Sequence, residues 1–367
     1  MIRRPRTVVA TGASVGVGRA AVLTFAARGG RVALLAQGSA GLAAAADETR
    51  HAGGEALIAA VDVADPKAID RAAQHVMDAF GRIDVWVNNA FAGVFAPFAE
   101  VTPDEYRRVT EVIHLGCVFG TRAALGHMLP SNRGTVVQVG SALADRGIPL
   151  RSVTHAILGF NESLRRELLR EGTRARTTMV LLLAVNTSQF DWMLSRGPGR
   201  ARPVATIHEP ELVARAMAHA AAHPRWREYW VGGSTAATLV ANALVPGWLA
   251  RYLARTGYDS HLEEGAQAGT GCPRSPADGP RGRGFGAHGR FDAGSRPGSA
   301  QEWVSRNRAR ATQDWVSRNR ARAGKTALII CGAAVFARKV TRSPGGSHLG
   351  PSRGVWPLRA GGRGNPV

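Results

Sequence analysis

Apolar residues along this chain fall in short runs separated by stretches of helical spacing. Seven runs, at residues 8–10, 31–36, 56–61, 83–87, 135–139, 178–183 and 228–231, have the length and flanking turns of buried strands. Between them, apolar positions recur every three or four residues over 16–26, 41–51, 66–80, 102–129, 159–168 and 210–222. Two helix starts are marked chemically. Asp65-Pro66 and Thr102-Pro103-Asp104-Glu105 each offer a capping oxygen followed by proline at the first helical position. Strands that are apolar throughout, alternating with helices, predict an α/β doubly wound fold with a mostly parallel sheet of about seven strands.

The first strand carries the main chemical signal. It runs into Thr11-Gly12-Ala13-Ser14-Val15-Gly16-Val17-Gly18, and an apolar helical pattern follows directly. Strand, glycine turn and helix together present backbone N–H groups and a helix N-terminus to a pyrophosphate. Gly12 permits the tight turn, Gly16 lets backbone approach phosphate, and Gly18 lets the helix pack closely on the strand. The competing reading is a turn that merely needs positive φ. Its place on the first strand of an alternating pattern favours the dinucleotide reading and a Rossmann-type fold.

Composition adds an appendage. Residues 261–367 hold 18 Lys/Arg against 6 Asp/Glu, a net +12 of the chain's +20. The expected organisation is a dinucleotide-binding domain over 1–258 and a disordered Gly/Pro/Arg-rich linker over 259–300. Beyond these come a tandem 12-residue repeat (301–324), a short apolar segment (325–339) and a disordered basic tail (340–367). A basic tail can meet nucleic acid or an anionic membrane. An undirected Arg-rich segment is the simpler reading, so nucleic acid is not expected as a partner. Membrane-surface contact through an amphipathic helix at 236–258, or through the apolar residues 326–337, stays open. Cys117, Cys272 and Cys331 are widely spaced, giving neither a disulfide framework nor a metal site. The N-terminus leads straight into a strand and suggests no signal peptide, so a cytoplasmic location is expected, with membrane association as the alternative.

With its Thr-Gly-x-x-x-Gly-x-Gly turn, its Asn88-Asn89-Ala90 strand end and its Gly140-Ser141 strand end, residues 5–235 resemble the short-chain dehydrogenase/reductase family. The resemblance implies an oxidoreductase transferring hydride between a nicotinamide and a small-molecule carbonyl or alcohol. Cofactor contacts are implied for Gly12, Ser14, Gly16, Val17 and Gly18, for Asp62 and Val63 at the adenine, for Asn89 and Ala90 at the nicotinamide ribose, and for Thr187 at the carboxamide. The competing reading of Asp62 is a helix N-cap, a role that Asp65-Pro66 already fills better, so the adenine role is favoured. Strand two ends in Ala36-Gln37-Gly38 with no acid to hold a ribose 2′-hydroxyl, which leans towards NADP(H) over NAD(H), with Arg19 as a cation at hand. Pairing of two copies through residues 102–129 and 155–171 is a further implication.

The catalytic half departs from the family. Ser141 stands where a serine polarises the substrate oxygen. The expected tyrosine and, four residues on, the lysine that lowers its pKa are replaced by Thr154 and Leu158. The active-site Asn of the long helix is Ile113, with His114 beside it, and Phe91 replaces a glycine. The stretch reads as if four residues had been removed. A loss of four turns the remaining helix by only about 40°, so the fold survives it. His155 is the nearest substitute acid, and a solvated first-turn histidine is the alternative. The second functional reading is a catalytically inactive dinucleotide-binding protein acting through its basic tail.

Overall fold

The structure, a computed structural model, describes residues 6–141, 156–182, 184–196, 199–204, 206–257, 259–264, 269, 271–272, 274–275 and 284–299. The tail beyond residue 299, with the repeat, the apolar segment and Cys331, lies outside them. So do Thr154 and His155.

Seven strands form one parallel sheet: β1 (Thr7–Thr11), β2 (Arg31–Ala36), β3 (Glu55–Ala60), β4 (Val85–Asn88), β5 (Thr135–Ser141), β6 (Arg176–Leu182) and β7 (Glu228–Trp230). Their order is β7-β6-β5-β4-β1-β2-β3. Chain order reverses between β1 and β4, where Val8 pairs with Val85 on one side and Val32 on the other. In an open α/β sheet this reversal opens a crevice at the carboxyl ends of the strands.

Alternation within the strands builds two cores. Val8, Ala10, Leu34 and Val137 face one layer with α1 (Gly16–Ala26), α2 (Ser39–His51) and α6 (Pro210–Ala222), through Val22, Phe25, Leu42, Leu212 and Met217. Val9, Leu35 and Trp86 face the other, with Ile69 and Val76 of α3 (Pro66–Phe80) and Met128 at the end of the long helix α4 (Pro103–Met128). Helix α5 (Ala156–Arg170) closes that layer with Leu168. Each fully buried Val or Leu contributes about 1.5–3 kcal/mol, which is why β1 tolerates no polar side chain in its centre.

Helix α4 is continuous from Pro103 to Met128 but passes through a π-helical turn at Glu111–Leu115. It opens with the expected capping box, Thr102 with Glu105. The single amphipathic helix expected at 236–258 is instead two, α7 (Gly233–Leu244) and α8 (Pro246–Thr256). Pro246 removes the amide that would continue α7 and starts α8. These helices and Val245 between them carry five of the eleven exposed large apolar side chains among the described residues: Val240, Leu244, Val245, Trp248 and Tyr252. No helix among the described residues is long and apolar enough to cross a membrane.

Candidate functional site

The turn after β1 is locked to the end of β4. Thr11 Oγ1 accepts from the backbone N–H groups of Asn89 and Ala90, both at 3.0 Å, and Asn89 Nδ2 donates to Thr11 O at 3.1 Å. Gly12 (φ +65°) is required twice over, because a Cβ there would stand 3.0 Å from Ala90 Cα. Gly18 admits none: its Cβ would lie 2.0 Å from Gly12 O. Helix α1 then begins with no side-chain cap and no acid in its first turn. Its N-terminal N–H groups and positive dipole end therefore face the crevice without a side chain to satisfy them.

One cleft gathers almost every residue the sequence singled out. Gly12, Ser14, Gly16, Val17, Asp62, Val63, Asn89, Ala90, Ser141 and Thr187 all line it, and Gly18 lies behind, against the Gly12 carbonyl. The space enclosed is about 240 Å3. Asn88 does not line it. It is buried in a network, accepting from Trp86 Nε1 and donating to Gln138 Oε1, Thr121 Oγ1 and Cys117 O at 2.8–3.2 Å. Cys117 belongs to the same network, and burial pushes its thiol up to about 12, which makes it an inert core residue.

At the adenine end, Ala36, Gln37 and Gly38 form the wall without a carboxylate. Arg19 is not free. It is buried and forks onto Glu48 at 2.7 and 2.9 Å, with its third nitrogen on Ser14 O at 3.2 Å. Asp62 is paired with Arg108 at 2.8 Å and also accepts from the Ala64 N–H at 3.0 Å. Arg108 is 4% exposed and lines the cleft, yet the sequence reading passed it over. The signal was there: helical periodicity puts 108 on the apolar face of α4 with Val109, Val112 and Ile113.

At the other end, Thr187 and Ser188 are 5% and 1% exposed, and neither hydroxyl has a hydrogen-bond partner among the described residues. Both line the cleft. Buried hydroxyls left unpaired are costly and mark a place for a ligand's polar group. Beyond them the wall is mostly apolar. Ile113 enters from the π-turn of α4, Ile157 from the first turn of α5, and Phe91, Val139, Leu182 and Trp192 complete it around Ser141. The α5 residue on this wall is Ile157 rather than Leu158. His114 points elsewhere, edge-on to Phe160 at 6.3 Å. Among the described residues no group of His, Cys, Asp and Glu could hold a metal ion.

Residues 284–299, which composition places in the linker, pack on the body beside this cleft. Gly16 N donates to Gly286 O at 2.9 Å, Asn186 Nδ2 donates to Asp292 Oδ1 at 2.6 Å, and Arg290 reaches Asp191 at 2.8 Å. Cys272 lies at the cleft mouth with Ser275. Its thiol is lowered by hydrogen bonds from the Arg274 backbone and the Ser275 hydroxyl.

Parallel strands in this order, with a glycine turn at the reversal point and the cleft opening there, define a doubly wound α/β protein of the nucleotide-cleft class. A sequence-family model for short chain dehydrogenase matches residues 6–191. The chain is 30% identical over 269 residues to an uncharacterised oxidoreductase, YxnA, of Bacillus subtilis, covering 71% of this chain and 75% of that relative. It is 28% identical over 211 residues to an uncharacterised oxidoreductase of Methylorubrum extorquens, covering 57% and 82%. Among solved structures it superposes on a metagenomic short-chain oxidoreductase in complex with NADP (TM-score 0.52, 27% identity, 62% of this chain and 96% of that one). It also superposes on a short-chain dehydrogenase/reductase of Burkholderia phymatum in complex with NAD (TM-score 0.58, 22% identity, 65% and 93%), a likeness of fold. The chain belongs to the short-chain dehydrogenase/reductase family.

Proposed function

We propose that the cleft binds a nicotinamide dinucleotide, NADP(H) in preference to NAD(H), and that turnover, where it occurs, is slow hydride exchange with an apolar carbonyl or alcohol. The observation that carries this is the pair of unpartnered buried hydroxyls, Thr187 and Ser188, at the far end of a cleft that begins at a glycine-lined helix N-terminus with no side-chain cap. The residues fit the group. The α1 turn would take the pyrophosphate, Asp62 and Val63 would border the adenine, Asn89 and Ala90 the ribose, and Thr187 the carboxamide. Absence of a carboxylate at Gln37-Gly38 supports the phosphorylated cofactor.

The bound dinucleotide supplies or receives the hydride. Ser141, at the end of β5, orients the substrate oxygen, and the carbon wall of Phe91, Ile113, Ile157 and Trp192 favours an apolar substrate. No tyrosine or lysine lines the cleft among the described residues. General acid catalysis is worth roughly 10²–10⁴ in rate, so its loss makes the chemical step slow. Ile113, Thr154 and Leu158 therefore favour a second reading, a dinucleotide-binding protein without turnover. Fluorescence titration with NADPH and NADH, followed by single-turnover assays with apolar aldehydes and ketones, separates the two. Saturable binding tighter for NADPH, with slow turnover sensitive to Ser141→Ala, supports the enzyme. Binding with no turnover supports the second reading, and absence of binding removes both.

A further inference from the structure

Residues 284–296 run beside the cleft, against the backbone of Gly16 and Thr187, which line it. Gly284 stands 3.1–3.2 Å, by its Cβ position, from Gly41 at the start of α2 and from Arg19. Two residues on, the Gly286 carbonyl accepts the Gly16 N–H at 2.9 Å. Gly289 then passes so near Thr187 that a Cβ would come within 2.5 Å of its carbonyl oxygen. The segment thus visits the start of α2, the α1 turn and Thr187 in order. These are the three points that the dinucleotide reading gives to the adenosine ribose, the pyrophosphate and the nicotinamide. An amide donating to a carbonyl in this way is not available to a phosphate. The remaining space, about 240 Å3, is below the roughly 300–1,000 Å3 of ordinary ligand pockets.

We propose that residues 284–296 form an intramolecular competitor of the dinucleotide, a strap that caps α1 with Gly286 and must swing off before cofactor binds. The proposal rests on the dinucleotide reading of the cleft. The strap is pinned at its far end by backbone, Arg296 N donating to Ile207 O at 3.0 Å and Glu209 N to Arg296 O at 3.1 Å. Its middle is held mainly by side chains, with one backbone contact, Phe291 N donating to Asn186 Oδ1 at 3.1 Å. Asp292 takes Asn186, Arg290 takes Asp191 and Glu263, and Phe291 packs edge-on against Phe190. His288 sits between two carboxylates, Glu211 of α6 at 3.0 Å and Asp292 of the strap at 2.8 Å. Burial works against its charge, but these two carboxylates outweigh it and raise its pKa. The bridge is complete when His288 is protonated. It weakens as pH rises through that raised pKa, so the strap lets go towards alkaline pH.

The test is NADPH titration of the full chain between pH 6 and pH 8, read by fluorescence, for the wild type, Asp292→Ala and His288→Ala. Losing the Asp292 contacts is expected to tighten NADPH binding about tenfold. The wild type is expected to bind more tightly at pH 8 than at pH 6, and His288→Ala to lose that dependence. Hydrogen exchange without cofactor gives a second readout, in which the Gly16 amide exchanges faster in Asp292→Ala. Should Asp292→Ala fail to fold, His288→Ala and Arg290→Ala carry the same comparison. Equal affinities in all proteins would overturn the strap and leave the dinucleotide reading standing. Weaker binding in the variants would overturn it too, making the segment a clamp on bound cofactor. Absence of saturable binding in every protein would overturn both.

Discussion

The nucleotide end of the cleft and its catalytic end are framed by the same sheet, yet they differ in what they leave unpaired. At the first, Gly12 and Gly18 keep Cβ atoms away from backbone and Gly16 keeps one away from the Thr187 side chain, and where that end meets the second, two buried hydroxyls stand without partners. At the second, Ile113 and Ile157 are each 6% exposed and fill their places with carbon. The difference follows from where the groups sit. The glycine turn is part of the β1–α1 joint, so changing it disturbs the sheet. Proton-transfer groups project from helix faces, and an apolar side chain in such a place gains about 1.5–3 kcal/mol of burial. An apolar side chain at such a helix position is therefore favourable to a stable fold.

The largest test of that contrast is Gly18→Ala. Its Cβ would meet the Gly12 carbonyl at 2.0 Å and Asn89 Nδ2 at 2.6 Å. The backbone must shift, and the expected loss is about 3 kcal/mol or more by urea unfolding, with dinucleotide binding abolished. An unchanged urea midpoint would show that the joint is looser than its geometry implies. Next in size is Asn88→Ala, which strands Trp86 Nε1 in the core and takes one hydrogen bond each from Gln138 and Thr121. About 2–3 kcal/mol should be lost, while NADPH affinity of the folded fraction holds, because Asn88 lies behind the cleft. A fall in affinity without a fall in stability would put Asn88 in the site instead.

The same contrast explains what could be read from the chain. All seven strands and the glycine turn were legible, since strand-long apolar runs and a Thr-Gly-x-x-x-Gly-x-Gly spacing are local properties. The gathering of Asp62, Asn89, Ser141 and Thr187 followed from the fold they imply. Pairings between distant elements were not legible. Arg108 with Asp62 spans three elements, and Arg19 with Glu48 turns an expected cofactor cation into a partnered one. Composition placed 284–299 in a linker because Gly and Arg dominate it. Those glycines are what permit close passage over Gly16 and Thr187. The break at Val245 hid behind an unbroken apolar pattern, though Pro246 announced it.

A smaller and sharper probe is Thr187→Val, nearly isosteric. If the Thr187 hydroxyl exists for a ligand, removing it should weaken NADPH binding about tenfold. Stability should hold or rise by up to about 1 kcal/mol, because an unpartnered buried hydroxyl costs the fold. A stability loss with unchanged affinity would make Thr187 structural.

The smallest effect separates the two ends by pH. Glu105 of α4 closes the capping box with Thr102 and forks onto Arg196, beside the strand residues Leu194–Ser195 that flank the catalytic end. The Arg196 hydrogen bonds, with those from Thr102, outweigh burial and lower its carboxyl from 4.5 to about 2. Because the folded pKa lies below the unfolded one, this clasp stabilises fully above about pH 4.5 and is lost as pH falls towards about 2. Glu105→Gln should therefore flatten the acid limb of stability in that window and leave neutral NADPH affinity unchanged, since none of its partners touches the nucleotide end. A change in NADPH affinity at neutral pH would mean that the two ends are mechanically coupled through α4, whose Arg108 holds Asp62 one turn further along.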